Sequence, residues 1–258
     1  MPFIIKNLPI LIVITPLMFS LIVAVLNNNR LAWTLSTFAS FLTMIFTILL
    51  CFEVSYKSNI SYFLGNWPPP LGIEYVIDTI SIIPIMIVSV IGLIATLFAH
   101  NFFTLEIDEK LVSKTYSLWL LTIAGLIGLI TTADAFNLFV FLEISSLSAV
   151  ALVALGSKVD RKALVAGYNY LILGAVGATF YVIGVGLLYG VTGTLNMGDL
   201  AQKIPALGLN KSVIVAFTFM MLGIMVKAAV FPLHIWLPNA YAYAPSPVSV
   251  LLAATATK

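Results

Sequence analysis

The segment that decides the fold runs from Met221 to Lys258 and reads MLGIMVKAAVFPLHIWLPNAYAYAPSPVSVLLAATATK. It places Lys227 inside an apolar stretch, interrupts that stretch at Pro232, and places Lys258 inside the next apolar run. A lysine in hydrocarbon costs roughly 2.5–3.5 kcal/mol on membrane-insertion scales, so it is rare unless it faces protein or water. A proline in a spanning helix frees backbone groups that protein or water must satisfy. The segment therefore predicts an ion path through a membrane protein, with Pro232 and Pro238 at the broken helix.

Composition identifies the class of protein. Of the 258 residues, 61% are hydrophobic and 9% are charged, and the mean hydropathy is +1.12. Soluble domains carry about 25% charged residues, so the composition indicates an integral membrane protein that contacts the lipid bilayer. The net charge of +2 is too small to suggest a nucleic-acid partner.

The chain offers few residues for binding a metal ion or a redox cofactor. Cys51 is the only cysteine, which excludes an internal disulfide, a CxxC pair and a cysteine-ligated iron–sulfur cluster. His100 and His234 lie far apart in the sequence, and no glycine-rich nucleotide-binding motif is present. We therefore expect no cofactor and no metal ion, and we find no catalytic chemistry in the chain by itself.

Long apolar runs predict the spanning helices, because continuous apolarity lacks the alternation of a barrel wall. The first run exceeds the 7–15 apolar residues of a signal peptide and is read as a spanning helix. The predicted fold is an all-α, polytopic transmembrane bundle with about seven full spans, a partial eighth, and a seventh interrupted between about Val230 and Leu237. The runs cover residues 8–26, 31–52, 79–99, 116–131, 136–155, 166–190 and 212–231, and the last begins near 246.

The eighth run is short. Only 11 residues, Val248–Lys258, follow its start, and a span needs about 20 residues. This length leads us to expect either a fragment or a truncated product. A half-path through the membrane leads us to expect ion movement only together with partner subunits.

Loop charges give a weak orientation. One side collects six lysines and arginines, including the SKVDRK loop, and the other side collects four. This places the N-terminus outside and the SKVDRK loop in the cytoplasm of a multi-pass protein in the plasma (inner) membrane. Segment 63–78 is then an external loop stiffened by prolines, and segment 192–211 is a second external connection with a short helix capped at Asn196.

Glu143 is the only acid within an uninterrupted predicted span. Acids inside membranes are usually functional, although a purely structural carboxylate bonded to Ser145, Ser146 or a neighbouring helix is the alternative. The natural partner is Lys227, because an ion pair offsets the desolvation of both groups. Lysine suits proton transfer because its pKa responds strongly to burial and to a nearby carboxylate.

The other charged or titratable candidates leave alternatives open. Lys227 at a helix end could snorkel to the headgroups, although apolar sequence continues beyond Pro232. Lys258 lies near mid-bilayer if a helix begins at Pro247, or else reflects only the chain end. His234 beside the break is either a proton relay or a satisfied polar group. Asp134 is expected to cap the fifth span.

At these residues the sequence resembles the antiporter-like membrane subunits shared by respiratory complex I and the Mrp-type multisubunit cation/proton antiporters. The resemblance rests on FNLFVFLEISSLS, on YLILGAVGATFYVIGVGLLYGVTGTLNMGDLA, and on KAAVFPLHIWLPNAYAYAPSPVSVLLAATATK, which is most similar to the D-type member of the Mrp antiporters. It implies translocation residues at Glu143, Lys227 and Lys258. It also implies the first half of an inverted-repeat fold, with three helices and their loops in residues 1–115 and a five-helix repeat in residues 116–258.

Two functions follow from the resemblance, and a third hypothesis follows from the short eighth run. The first is a proton-translocating subunit of a multisubunit Na+/H+ antiporter, in which a Glu–Lys pair passes the proton. The second is a proton-pumping subunit of NADH:quinone oxidoreductase, in which any reductase activity belongs to the assembly. The third is a truncated remnant that transports nothing. The first two imply other subunits of a membrane antiporter or respiratory complex as partners, with protons and monovalent cations as the transported ions.

Overall fold

A computed structural model describes residues 2–208 and 210–256. The helices are α1 (Pro2–Lys6), α2 (Leu8–Val25), α3 (Asn29–Lys57), α4 (Ile82–Glu106), α5 (Val112–Thr131), α6 (Ala135–Ala154), α7 (Lys162–Thr192), α8 (Met197–Ala206), α9 (Lys211–Lys227), α10 (Trp236–Tyr243) and α11 (Ser246–Leu251). Two strands, β1 (Asn59–Phe63) and β2 (Glu74–Asp78), pair between α3 and α4. A 3-10 turn, Leu155–Lys158, extends α6, and a π-helical turn, Leu252–Ala256, extends α11.

The predicted count of seven full spans needs correction. Within the described part of the chain, six helices, α2 to α7, are long and apolar enough to cross a membrane. The seventh predicted span is α9, which has 17 residues because the chain leaves the helical conformation after Lys227. The partial eighth corresponds to α11 and its π-helical turn. The division at residue 115 falls in the first turn of α5, and this division and the inverted repeat stay predictions.

The break between α9 and α10 begins slightly earlier than the sequence predicts. Residues 228–235 form turns, and α10 begins at Trp236. Ala229 has φ of 52°, the left-handed conformation that commonly ends a helix. Pro232 lies inside this non-helical segment, whereas Pro238 lies in the first turn of α10, where a proline is tolerated. Pro232 therefore belongs to the break, and Pro238 does not interrupt a helix.

The all-α prediction is wrong at one place, the external segment predicted to be a loop. Strands β1 and β2 form an antiparallel hairpin in the register Asn59↔Asp78 to Phe63↔Glu74. Side chains alternate between more and less buried along both strands, as a half-buried sheet requires. Each strand has only five residues, so the alternation is too short to stand out beside apolar runs of 20 residues.

The hairpin connects the loops at one end of the bundle. Tyr75 bridges to Thr132 in the α5–α6 turn, and Asp134 in that turn bridges to Asn196 before α8. Asn196 also donates its side-chain amide to Glu74 Oε2 at 2.9 Å. Burial raises the pKa of Tyr75 to about 12, against the lowering effect of a hydrogen bond with Asn137. Three connections at this end are therefore held together as one cap.

Helix α5 lies at the centre of the bundle. It packs against α2, α3, α4 and α6, and two thirds of its spanning window is buried inside the protein. Trp119 of α5 is fully buried, meets the ring of Phe103 edge-on, and donates its indole N–H to Thr96 Oγ1 at 2.8 Å. This packing fixes α5 as the wall against which α6, the helix that carries Glu143, is positioned.

Helices α7 and α9 pack closely because glycines line their contact. A methyl group at Gly177 would lie 2.9 Å from Val226 Cβ, and one at Gly223 would lie 2.8 Å from the backbone nitrogen of Tyr181. Small residues at such contacts let two helix backbones approach within a membrane. Close packing here brings the end of α9, and so Lys227, against α7 and α6.

Candidate functional site

The structure brings Glu143 of α6 and Lys227 of α9 into contact. Lys227 Nζ lies 3.0 Å from Glu143 Oε1 and donates a hydrogen bond to it. The lysine side chain is 10% exposed and the glutamate side chain 23% exposed, so both charges are largely removed from solvent. A buried charge without a partner is strongly unfavourable, and this pair supplies a partner to each.

Ser146 is the second acceptor of the Lys227 ammonium group. Lys227 Nζ donates to Ser146 Oγ at 2.6 Å. Ser146 follows Glu143 by three residues, so the two side chains lie on the same face of α6. The sequence suggested Ser146 only as a partner for the glutamate. In the structure the hydroxyl of Ser146 accepts a hydrogen bond from the lysine. The ammonium group of Lys227 therefore lies between a carboxylate and a hydroxyl.

Local features of α6 and α7 position the pair. Asp134 caps α6, as predicted, by accepting the backbone N–H of Asn137 at 2.7 Å. Gly174 of α7 faces the lysine, and a methyl group there would lie 3.6 Å from Lys227 Nζ. The absence of a side chain at Gly174 leaves room for the lysine to reach across α7 to α6.

Trp236 closes the broken end of α9. Its indole N–H donates to the carbonyl oxygen of Val226 at 3.0 Å, and its ring stacks on Tyr170 with centroids 4.1 Å apart. Carbonyl groups at a helix end need partners when water is absent. Trp236 supplies one partner next to Lys227, and the stacked Tyr170 covers the lysine from the side of α7. The sequence analysis assigned neither aromatic residue a role, because their contact depends on how α10 returns to α7.

A cavity of about 340 Å³ lies beside the ion pair. Most of its lining is apolar, and its polar residues are Lys227, Tyr170 and hydroxyl-bearing residues of α5, α6 and the π-helical turn after α11. Those hydroxyl-bearing residues are Thr122, Ser145, Ser146 and Thr255. Glu143 lines a separate, mostly apolar groove between α5 and α6. Lys227 therefore lines a mostly apolar cavity that also carries hydroxyl-bearing residues, whereas Glu143 lines the other groove.

The remaining predicted residues are not part of this contact. His234 lies in the break, with its ring 5.5 Å from that of Phe231, and its Nδ1 atom is buried without a hydrogen-bond partner in the described structure. It does not line the cavity beside Lys227. Lys258 lies outside the described residues. Across residues 2–208 and 210–256, no three His, Cys, Asp or Glu side chains lie close enough to hold a metal ion.

Comparison with known proteins identifies similar chains. Residues 132–258 match the family described as NADH:quinone oxidoreductase/Mrp antiporter, TM. NADH-quinone oxidoreductase subunit N of Desulforudis audaxviator is 42% identical over 98% of this chain. The D-type member of the Na(+)/H(+) antiporter of Bacillus subtilis is 31% identical over 98% of it. Overall identity therefore does not favour the D-type antiporter protein, which the last segment of the sequence had led us to expect.

A solved structure shows the same fold. A chain of the membrane-bound sulfane sulfur reductase, an archaeal respiratory membrane complex, superposes with a TM-score of 0.90 and 33% identity, over 98% of this chain and 51% of that one. The chain spans about half the length of the relatives it matches, 50% for both the oxidoreductase and the antiporter proteins. The chain belongs to the family of antiporter-like membrane subunits shared by Mrp-type antiporters and NADH:quinone oxidoreductases.

Proposed function

We propose that this chain is a proton-translocating subunit of a multisubunit complex in the plasma membrane, and that Lys227 carries the proton. The observation that supports the proposal is the buried contact of Lys227 Nζ with Glu143 Oε1 at 3.0 Å. Intramembrane ion pairs mark proton and ion pathways in transport proteins, because their large desolvation cost is otherwise selected against.

The proposed cycle uses the two partners of the lysine in turn. While Glu143 contacts Lys227, the carboxylate favours the protonated amine. When the carboxylate and the amine separate, the ammonium keeps only the Ser146 hydroxyl and faces a cavity lined by neutral groups. A buried charge with fewer partners is less stable, so the lysine releases its proton along that cavity. Return of Glu143 restores the pair and favours uptake of the next proton.

Two further residues complete the proposed path. Lys258 is proposed to receive the proton from Lys227, as the family resemblance implies. His234 is proposed as a relay at the break, because its buried Nδ1 has no hydrogen-bond partner in the described structure. A ring nitrogen in that condition is available to a water molecule or to a proton.

Two kinds of complex fit this function. Similarity to the D-type protein of a Na(+)/H(+) antiporter supports a monovalent cation/proton antiporter. The higher identity to subunit N of an NADH-quinone oxidoreductase supports a respiratory complex equally well. In both, other membrane subunits are the proposed partners. The genes next to this one distinguish the two, because antiporter and oxidoreductase subunits are encoded in different clusters.

The function is tested by proton flux in vesicles that contain the chain together with its partner subunits. We expect Lys227→Ala and Glu143→Gln to abolish most of the flux, because each leaves the other group without its partner. Lys211→Ala is the matched control, since Lys211 begins the same helix and is exposed. Full flux in Lys227→Ala, with the complex assembled, would show that Lys227 carries no proton.

A further inference from the structure

A second cavity lies at the end of the bundle opposite the hairpin. Its volume is about 480 Å³, and most of its lining side chains are polar or charged. It lies where α3 begins, where α4 ends, and where the α6–α7 connection passes over them. The lining residues are Asn29, Arg30, His100, Thr104, Glu109, Val112, Tyr116 and Lys158. None of them belongs to the Glu143–Lys227 site.

The lining carries an excess of positive charge. Arg30 and Lys158 face one acid, Glu109, and His100 adds a ring N–H that can donate a hydrogen bond. No ion pair involves Arg30, Lys158 or Glu109 in the described structure, in contrast to the three lysines that are paired elsewhere. The guanidinium of Arg30 therefore has all its donors available, and a guanidinium fork matches the oxygens of a phosphate group.

The neighbouring groups hold these cations in place. Lys158 Nζ donates to the carbonyl oxygens of Leu105 at 3.0 Å and Ile107 at 2.9 Å, which fixes the ammonium at the end of α4. The ring of His100 lies against that of Trp33, with centroids 4.1 Å apart and the ring planes tilted by 33°. Val112 begins α5, whose first turn has no side-chain cap. The cavity thus presents the positioned ammonium group of Lys158, which keeps one N–H for a further acceptor, beside the guanidinium group of Arg30.

The position of the cavity indicates which kind of phosphate-bearing molecule would reach it. It lies at the ends of helices that are long and apolar enough to cross a membrane, which is where lipid headgroups are expected. Leu97 precedes His100 by one turn on the same face of α4 and is 49% exposed, and Leu105 beside Thr104 is 71% exposed. Leu97 therefore presents apolar surface one turn further into α4 than His100, where an acyl chain of a lipid would pack. Basic pockets between helices on the cytoplasmic side bind acidic headgroups in other membrane proteins.

We propose that this cavity binds the phosphodiester headgroup of an anionic phospholipid, with Arg30, Lys158 and His100 as its donors. The lipid would connect the start of α3, the end of α4 and the α6–α7 connection. Binding to the folded protein alone raises stability, so the lipid should also stabilise this end of the bundle. The site stands independently of the proposed proton path.

The test uses the purified complex in detergent, with phosphatidylglycerol added against phosphatidylcholine. Native mass spectrometry counts the lipids retained, and thermal unfolding measures the stabilisation. We expect phosphatidylglycerol to be retained and to raise Tm, and Arg30→Gln to weaken its binding about tenfold, as expected for loss of a charged hydrogen bond. Lys114→Gln, which removes an exposed charge at the same end but outside the cavity, should leave binding unchanged.

Three results would overturn the proposal. Equal losses in Arg30→Gln and Lys114→Gln would show general attraction to acidic lipid and no built site. Equal retention of phosphatidylcholine would show that the headgroup charge is not recognised. Stabilisation by inorganic phosphate without retention of phosphatidylglycerol would assign the cavity to a free anion. The thermal measurement on each variant without lipid separates a folding defect from a binding defect.

Discussion

At the scale of single residues, the ammonium group of Lys227 is defined by its two acceptors. Glu143 supplies a charge at 3.0 Å, and Ser146 supplies a neutral hydroxyl at 2.6 Å on the same face of α6. Hydrogen bonds to charged groups contribute about 1.5–3 kcal/mol each, more than neutral ones. Loss of either acceptor should therefore change the ease with which the lysine gives up its proton.

Ser146→Ala tests the role of the hydroxyl. We expect proton flux to fall by about tenfold and its pH profile to move, because the ammonium loses one charged hydrogen bond. Ser145→Ala is the control, since Ser145 lines the same cavity but bonds only to the carbonyl oxygen of Leu142. Ser146→Thr keeps a hydroxyl and should retain flux. Equal effects of the two alanine variants would assign Ser146 a packing role.

Asp78 provides a residue-scale prediction on stability. Its carboxylate accepts the backbone N–H groups of Ser81 and Ile80, and these bonds, with the Ser81 hydroxyl, lower the pKa of Asp78. A lowered folded-state pKa adds stability above the unfolded value of about 3.9, and this stability is lost as the pH falls through the folded value.

Asp78→Ala should therefore cost about 0.5–1 kcal/mol near pH 7, at the low end for a capping carboxylate because the group is only partly buried. The difference from the unmodified protein should shrink below about pH 4. Thermal unfolding of both proteins across this pH range measures it. A difference that stays constant down to about pH 3 would contradict the role of the charged carboxylate.

At the scale of elements, the contact between α7 and α9 determines where Lys227 lies. The two helices touch at glycines, so their separation depends on the absence of side chains there. The end of α9 depends equally on Trp236 of α10, whose indole N–H donates a hydrogen bond to the carbonyl oxygen of Val226. The lysine is thus held from two sides, by the glycine contact and by the tryptophan.

Gly184→Ala tests the glycine contact. The added methyl would lie 2.6 Å from the Ala216 carbonyl oxygen of α9, so the helices must separate, at about 1–3 kcal/mol. Gly186→Ala is the matched control on the same helix, because nothing lies within 4 Å of its added methyl. Thermal unfolding in detergent should show a lower Tm for Gly184→Ala alone. An equal fall in Tm in both variants would show that the replacement of glycine within α7, and not the contact with α9, causes the loss of stability.

At the scale of the whole molecule, the two ends of the bundle differ. One end is covered by the hairpin, the α5–α6 turn and the start of α8, connected through Glu74 and Asn196. The other end carries the basic cavity and the α6–α7 connection. Positive charge favours the cytoplasmic side, so the hairpin end is expected to be external.

Cysteine labelling measures this orientation. In a Cys51→Ser background, Leu71→Cys places a thiol in the hairpin and Val159→Cys places one in the α6–α7 connection; both side chains are exposed, by 82% and 71%. A membrane-impermeant maleimide added to intact cells should label only Leu71→Cys. Both sites should react after the cells are opened. Labelling of Val159→Cys alone in intact cells would reverse the orientation.

The sequence alone determined that this is a helical membrane protein, and it determined the six long spans. Continuous apolar runs and the near absence of charge are properties of the chain by itself. The same holds for Glu143 and Lys227 as candidates, because a charge within an apolar run is visible without a structure. The cap at Asp134 was equally predictable, since a cap acts over only three residues.

Only the tertiary structure decided the contacts that are distant in sequence. Lys227 and Glu143 are 84 residues apart, and the hydroxyl of Ser146 meets the lysine and not the glutamate. The hairpin was missed because two five-residue strands are stabilised by pairing and by the cap around them, not by their own pattern. The basic cavity joins residues from α3, α4 and the α6–α7 connection. Such sites depend on how the helices pack, and apolar periodicity carries no information about which helix ends meet.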